Sequence, residues 1–127
     1  MRDRVLITAL EMIGTTPFDC EQWCGMFALH TLHKCDLAKD IEYCDKTGEV
    51  LCSKLVKTIN PLHADIVKLQ FKDIKHYAIL IKRTPYNALT RKRVLLTVDG
   101  GSFDDTVSVR SHTMRDNTEF YSIDSLL

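Results

Sequence analysis

A cysteine that opens an apolar, helix-period run is the first place to look for chemistry in this chain. Cys24 sits in Asp19-Cys20-Glu21-Gln22-Trp23-Cys24-Gly25-Met26-Phe27-Ala28-Leu29-His30, between a polar turn and apolar residues at Met26, Phe27, Leu29 and Leu32. Those positions share one helical face, so Cys24 falls at or just before the first turn. A thiol there feels the partial positive charge of unpaired backbone N–H groups, which favours the nucleophilic thiolate. The same groups can stabilise an oxyanion forming beside the sulfur. The competing explanation is a small buried cysteine packed at the head of a core helix, since free thiols are among the most buried side chains.

A cysteine nucleophile needs a base that is near it in space, wherever it falls in the sequence. His30 and His33 lie in or just beyond the same helix, about two or more turns along at roughly 1.5 Å per residue, and point away from its start. His63 follows Pro61 in a turn and stays open; His112 falls in a late polar segment. His76 opens the run His-Tyr-Ala-Ile-Leu-Ile, a polar residue at the head of a buried strand. Asp99 ends the β-rich run Val94 to Val98, just before Gly100-Gly101-Ser102. If those two strands are antiparallel, His76 and Asp99 stand at the same end of the sheet, where the carboxylate can accept the second imidazole N–H. The plainer account of Asp99 is that it starts an Asp-Gly turn.

The elements that must position these residues change character along the chain. Val5, Leu6, Ala9, Leu10 and Ile13 predict a helix over Arg4 to Ile13, with Gly14 as its C-cap. A second helix is expected from Cys24 to Lys34, a short helical turn around Leu37 to Tyr43, and a third helix from Glu49 to Ile59, stopped by Asn60-Pro61. After Pro61 the period alternates. Strands are expected at Asp65–Phe71, His76–Ile81, Val94–Val98, Thr106–Val109 and Phe120–Ile123. Helices first and strands afterwards give an α+β fold, N-terminal helices on an antiparallel sheet of about five strands.

Composition narrows the function. The 127 residues suit a single domain spanning the chain. Lys+Arg and Asp+Glu both number 17, and zero net charge gives no support for a nucleic-acid or membrane-surface binder. No apolar run approaches the roughly 20 residues of a membrane span. The start, Met1-Arg2-Asp3-Arg4, lacks a signal peptide's apolar core, so synthesis in the cytoplasm is expected, followed by retention there or exit by a route that reads no N-terminal signal. Five cysteines, an odd number, argue against a disulfide framework. His30, His33 and Cys35 lie close together but match no zinc spacing, and neither metal nor cofactor is expected. Lys82, Arg83, Arg91, Lys92 and Arg93 flank one loop, either as a solvated hairpin end or as a docking loop for an anionic or protein partner.

Four motifs in order resemble the CHAP and NlpC-type peptidases, small papain-like cysteine amidases and endopeptidases. They are Trp23-Cys24-Gly25-Met26-Phe27, Ala64-Asp65-Ile66-Val67, Lys75-His76-Tyr77-Ala78-Ile79 and Thr97-Val98-Asp99-Gly100-Gly101-Ser102. The resemblance runs from about Thr16 to Ser111. It implies a papain-like fold in which Cys24 is the nucleophile, His76 the base and Asp99 the orienting residue, with Gln22 completing an oxyanion hole begun by the Cys24 N–H. Cys20 is the alternative nucleophile, because Asp19-Cys20 resembles the Asp-Cys of the NlpC branch. The implied substrate is a peptide or peptidoglycan amide, as for a phage or bacterial lytic enzyme or a toxin. The alternatives are an inactive or phage-encoded inhibitor protein that uses the basic 82–93 loop, and an intracellular protein or isopeptide protease. Three positions depart from the family: Ala64 stands for glycine, Lys75 for a small residue, and Gly101-Ser102 where asparagine is common. Lys75 threatens to place a second cation beside the catalytic pair.

Overall fold

Apolar residues three and four apart build the helices, and alternation builds the sheet that they cover. The computed structural model describes residues 1–19, 22–43, 46–101 and 106–127. Helix α1, Arg2–Glu11, begins two residues before the expected start. Arg2 is drawn inward by the carboxylates of Asp65 and Asp124, each at 2.6 Å. The helix is capped by Met12, not by Gly14. Gly14 lies beyond the end with φ 84° and donates its N–H to the carbonyl of Val107 at 2.8 Å.

Helix α2, Cys24–Lys34, has the expected bounds and is the central helix, with seven of its residues buried. The segment Leu37 to Tyr43 forms no helix; Leu37, Ala38 and Ile41 instead join the core from irregular chain. The expected third helix is only half right. Helix α3 covers Glu49–Ser53, and the chain then becomes strand β1, Val56–Thr58. Leu51 and Leu55 are buried as the helical period requires, but Val56 and Ile59 are 64% and 84% exposed. Pairing of Val56 with Ser122 and Thr58 with Phe120 at the sheet edge overrides local periodicity here.

Strands β2 (Ile66–Phe71), β3 (Ile74–Arg83), β4 (Val94–Asp99), β5 (Ser108–Thr113) and β6 (Glu119–Ser122) complete a six-stranded sheet, one strand more than expected. The order is β1-β6-β2-β3-β4-β5, and every neighbouring pair is antiparallel. The architecture is therefore α+β, helices on an antiparallel sheet.

The two faces of the sheet carry separate apolar clusters. Ile66, Tyr77, Ile79 and Val98 pack with Trp23, Phe27 and Leu29 of the helical side. Val67, Leu69, Leu80, Leu95 and Phe120 form the second cluster on the opposite face. There the rings of Phe71 on β2 and His112 on β5 are 6.2 Å apart. In a flat sheet those strands, with β3 and β4 between them, would be about 14 Å apart at roughly 4.8 Å per strand. The sheet therefore curls around this face and buries residues that no helix covers. No helix among the described residues is long and apolar enough to cross a membrane.

Candidate active site

Packing between two short motifs sets the position of Cys24. Trp23, the N-cap residue of α2, is buried and lies under the turn that ends β4. A side chain at Gly100 or Gly101 would collide with it: a Cβ on Gly101 would stand 2.5 Å from the indole. Gly101 has φ 73°, the left-handed region that glycine enters without strain. On the other side of the helix start, the Gly25 N–H donates to the carbonyl of Lys46 at 3.1 Å, and no Cβ fits there against the backbone of Lys46 and Gly48. Trp23-Cys24-Gly25 is thus clamped between the 46–48 turn and the end of β4. The clamp fixes the nucleophile candidate relative to Asp99.

The register of β3 and β4 supplies the other two groups. Ala78 pairs with Asp99, so His76 and Asp99 are diagonal neighbours on one face. His76 is the third residue of β3, not its first, because the β2–β3 hairpin extends pairing to Phe71 and Ile74. Its Nε2–H donates to Asp99 Oδ2 at 2.6 Å, with both side chains buried. Cys24 is the second group near enough to favour its charged form. Burial works against a charged imidazole, but Asp99 and Cys24 outweigh it and raise the His76 pKa to about 9. Burial likewise opposes ionisation of Asp99, but hydrogen bonds from His112, His76 and Thr97 pull its pKa down to about 2. The preferred state is a buried imidazolium on a carboxylate, beside the Cys24 sulfur.

His112 is the residue that sequence reasoning passed over. Its Nε2–H donates to the same Asp99 Oδ2 at 2.7 Å, and the Thr97 hydroxyl donates to Oδ1. The expected strand Thr106–Val109 lies instead at Ser108–Thr113, so His112 belongs to a strand, not to a polar loop. Ser108, Arg110 and His112 alternate onto the Asp99 face, a period-two signal that was legible once the strand was shifted.

Cys24 opens onto a cavity of about 200 Å³ lined by Gln22, Lys46, Glu49, Asp73, Ile74 and Lys75. Gln22 is exposed with φ 52° and lines this space beside Cys24. The Lys75 ammonium pairs with Glu49 at 2.8 Å, so its charge is balanced before it reaches the histidine. The cleft is therefore charged, with both signs on its walls. Cys20, the alternative nucleophile, lies outside the described residues.

The other candidates fall elsewhere. His63 pairs with Asp3 at 2.6 Å beside α1. His33 meets the carbonyl of Ala38 at 2.9 Å, His30 meets the Tyr43 hydroxyl at 3.2 Å, and buried Cys35 bonds Thr8 at 3.4 Å, so these three do not converge on a zinc geometry. Of the basic loop, Arg83 stacks over Phe120 at 5.7 Å, while Arg91, Lys92 and Arg93 share a cavity with Arg115. Cys24, His76, Asp99 and His112 form one connected group; the basic loop is a separate feature. No protein-family model, no curated protein and no solved structure matches this chain.

Proposed function

We propose that the protein is a cysteine-dependent amidase or endopeptidase of papain-like fold, working through Cys24, His76 and Asp99. The observation that carries the reading is the buried His76–Asp99 hydrogen bond at 2.6 Å, with Cys24 near enough to the ring to favour its charged form. One ring nitrogen is committed to the carboxylate, which fixes the tautomer and orientation of the imidazole. The Cys24 thiolate attacks an amide carbonyl, and the oxyanion is received by the Cys24 N–H with Gln22. His76 then protonates the departing amine. With its proton gone, the imidazole activates water to hydrolyse the thioester, and Cys24 is restored.

Two departures from the CHAP and NlpC pattern add support. Ala64, at the family's glycine position, has φ 74°, and Gly101, at its asparagine position, has φ 73°. Both are left-handed conformations, where glycine and asparagine are the favoured residues. The mixed charges of the cleft suit a peptide carrying both ammonium and carboxylate groups, and peptidoglycan stem peptides are the first substrate to try.

The test is the rate of iodoacetamide labelling against pH, with modified sites mapped by mass spectrometry. Wild type, His76→Ala and Cys24→Ala are compared, and the same proteins are assayed on peptidoglycan and peptide amides. Rapid labelling of Cys24 below pH 7 that slows at least tenfold in His76→Ala supports the reading. Slow labelling of Cys24 in both, with an ordinary thiol titration, removes it.

A further inference from the structure

His76, Asp99 and His112 present three metal-ligating atoms to one point. Their ligand atoms all lie within 4.8 Å of one another, the side chains are buried or nearly so, and no other described group of three His, Cys, Asp or Glu residues converges in this way. Both Nε2 atoms are aimed at one oxygen, Asp99 Oδ2, at 2.6 and 2.7 Å. A tetrahedral zinc ion with bonds of about 2.0–2.2 Å holds its ligand atoms about 3.3 Å apart. Each nitrogen needs to part from Oδ2 by only about 0.7 Å, within the reach of side-chain torsions.

The surroundings suit a metal as well as a proton. Metal-bound imidazoles are normally steered by a hydrogen bond on the other ring nitrogen, and ligating carboxylates by one on the spare oxygen. Cys24 is a partner of the His76 ring, and the Thr97 hydroxyl holds Oδ1 of Asp99. A second cavity, lined by Phe71, Arg110 and His112, reaches the group from the side of β5, away from the cleft of Cys24. Two imidazoles and one carboxylate favour zinc and its neighbours over magnesium or calcium, which prefer oxygen.

We propose that His76, Asp99 and His112 form a binding site for one divalent zinc-class ion. The ion takes the place of the two Nε2 protons that now bridge to Oδ2. It also withdraws His76 and Asp99 from Cys24. On the cysteine-hydrolase reading above, on which this consequence alone rests, metal binding is a reversible off-state of the enzyme. Metal binding itself stands on the three ligands, whether or not Cys24 is a nucleophile.

The experiment is calorimetric titration of chelator-stripped protein with Zn²⁺, with Co²⁺ as the spectroscopic probe and Mg²⁺ as control. Wild type, Cys24→Ser, His112→Ala and His112→Gln are compared after their folds are checked by circular dichroism. Expected are one Zn²⁺ per chain in wild type and in Cys24→Ser, and at least a 100-fold weaker affinity in the His112 variants. If His112→Ala does not fold, His112→Gln decides, because its amide still donates to Asp99. Absence of saturable Zn²⁺ binding in wild type overturns the proposal. So does binding that survives in the His112 variants, and binding lost in Cys24→Ser, which would place the metal on Cys24. Labelling of Cys24 in metal-free protein tests the catalytic reading separately, so failure of one leaves the other standing.

Discussion

Replacing Asp99 by asparagine removes one charge from a buried group and leaves its shape nearly unchanged. In the native protein the His76 pKa is raised from 6.5 to about 9, with Asp99 the largest of the contributions that oppose burial. That shift is worth about 3 kcal/mol of preference for the imidazolium, at 1.36 kcal/mol per pKa unit. At pH 7.5 a histidine of pKa about 9 is about 97% charged. In Asp99→Asn the burial that disfavours charge remains, and of the two groups that oppose it only Cys24 is left. The His76 pKa should then fall toward its ordinary value of 6.5, at which the ring is about 10% charged at pH 7.5. The ring can be followed by proton NMR of its Cε1–H across pH 4 to 10. Iodoacetamide labelling of Cys24 at pH 7.5 should slow about tenfold, in step with the lost imidazolium. The variant should still fold. Losing the charge from hydrogen bonds donated by His76, His112 and Thr97 costs about 2–3 kcal/mol, less than the usual 5–15 kcal/mol of a domain. A titration midpoint for His76 that stays within half a unit of wild type would refute the reasoning, since Asp99 would then not be what holds the proton.

Three further outcomes follow from the same geometry. Stability should be greatest between about pH 4 and 6.5 and fall on both sides. The raised His76 pKa stabilises the fold below 6.5, and that contribution is lost as pH rises through about 9; the lowered Asp99 pKa stabilises above 3.8, lost as pH falls through about 2. Thermal unfolding across pH 3 to 10 reads this directly, and a plateau extending past pH 9 would contradict it. Gly101→Ala forces a side chain into the left-handed region and into Trp23, and should cost about 3 kcal/mol in a denaturant titration. Gly14→Ala, at φ 84° with nothing within 4 Å, should cost only about 1 kcal/mol, so equal losses would show that Trp23 is not the obstacle. Arg2→Met strands the Asp65 carboxylate, which is 1% exposed, with the N–H groups of Leu62 and Ile123 as its remaining donors among the described residues. It should cost about 2–3 kcal/mol, and the loss should shrink in an Asp65→Asn background.

Residues whose burial follows from local periodicity were legible in the sequence, and residues placed by distant pairing were not. Helix α2 could be bounded to the residue because an apolar face and the breaks around it are local. The alternation after Pro61 gave the sheet for the same reason. Val56 to Thr58 failed because its apolar residues continue the helical period of Leu51 and Leu55, and only the edge of β6, more than 60 residues later, makes it a strand. The pairing of His76 with Asp99 was legible because each falls near the sheet's end on adjacent strands. His112 was not, because its contact with Asp99 crosses the register: it pairs with Leu95, four residues away along β4. Only the curl of the sheet brings it to the carboxylate, and curl leaves no signature in a sequence period. The departure at Lys75 looked harmful for a similar reason, since Glu49 lies 26 residues away.

The fit between Trp23 and the Gly100-Gly101 turn links the two halves of the site more firmly than the site's own hydrogen bonds do. Cys24 follows Trp23 by one residue, and Asp99 precedes Gly100 by one. Any movement of α2 along the sheet must therefore move the indole across a surface that admits no Cβ. Close packing of this kind is stiff, whereas a hydrogen bond tolerates several tenths of an ångström. The distance from Cys24 to the Asp99 carboxylate is thus held by Trp23 and the Gly100-Gly101 turn. On the metal-site proposal, His76, His112 and Asp99 can exchange the two Nε2 protons for an ion without disturbing the frame. Variants of the three polar residues should accordingly change titration and metal affinity more than unfolding. Variants of Trp23, Gly100 and Gly101 should do the reverse.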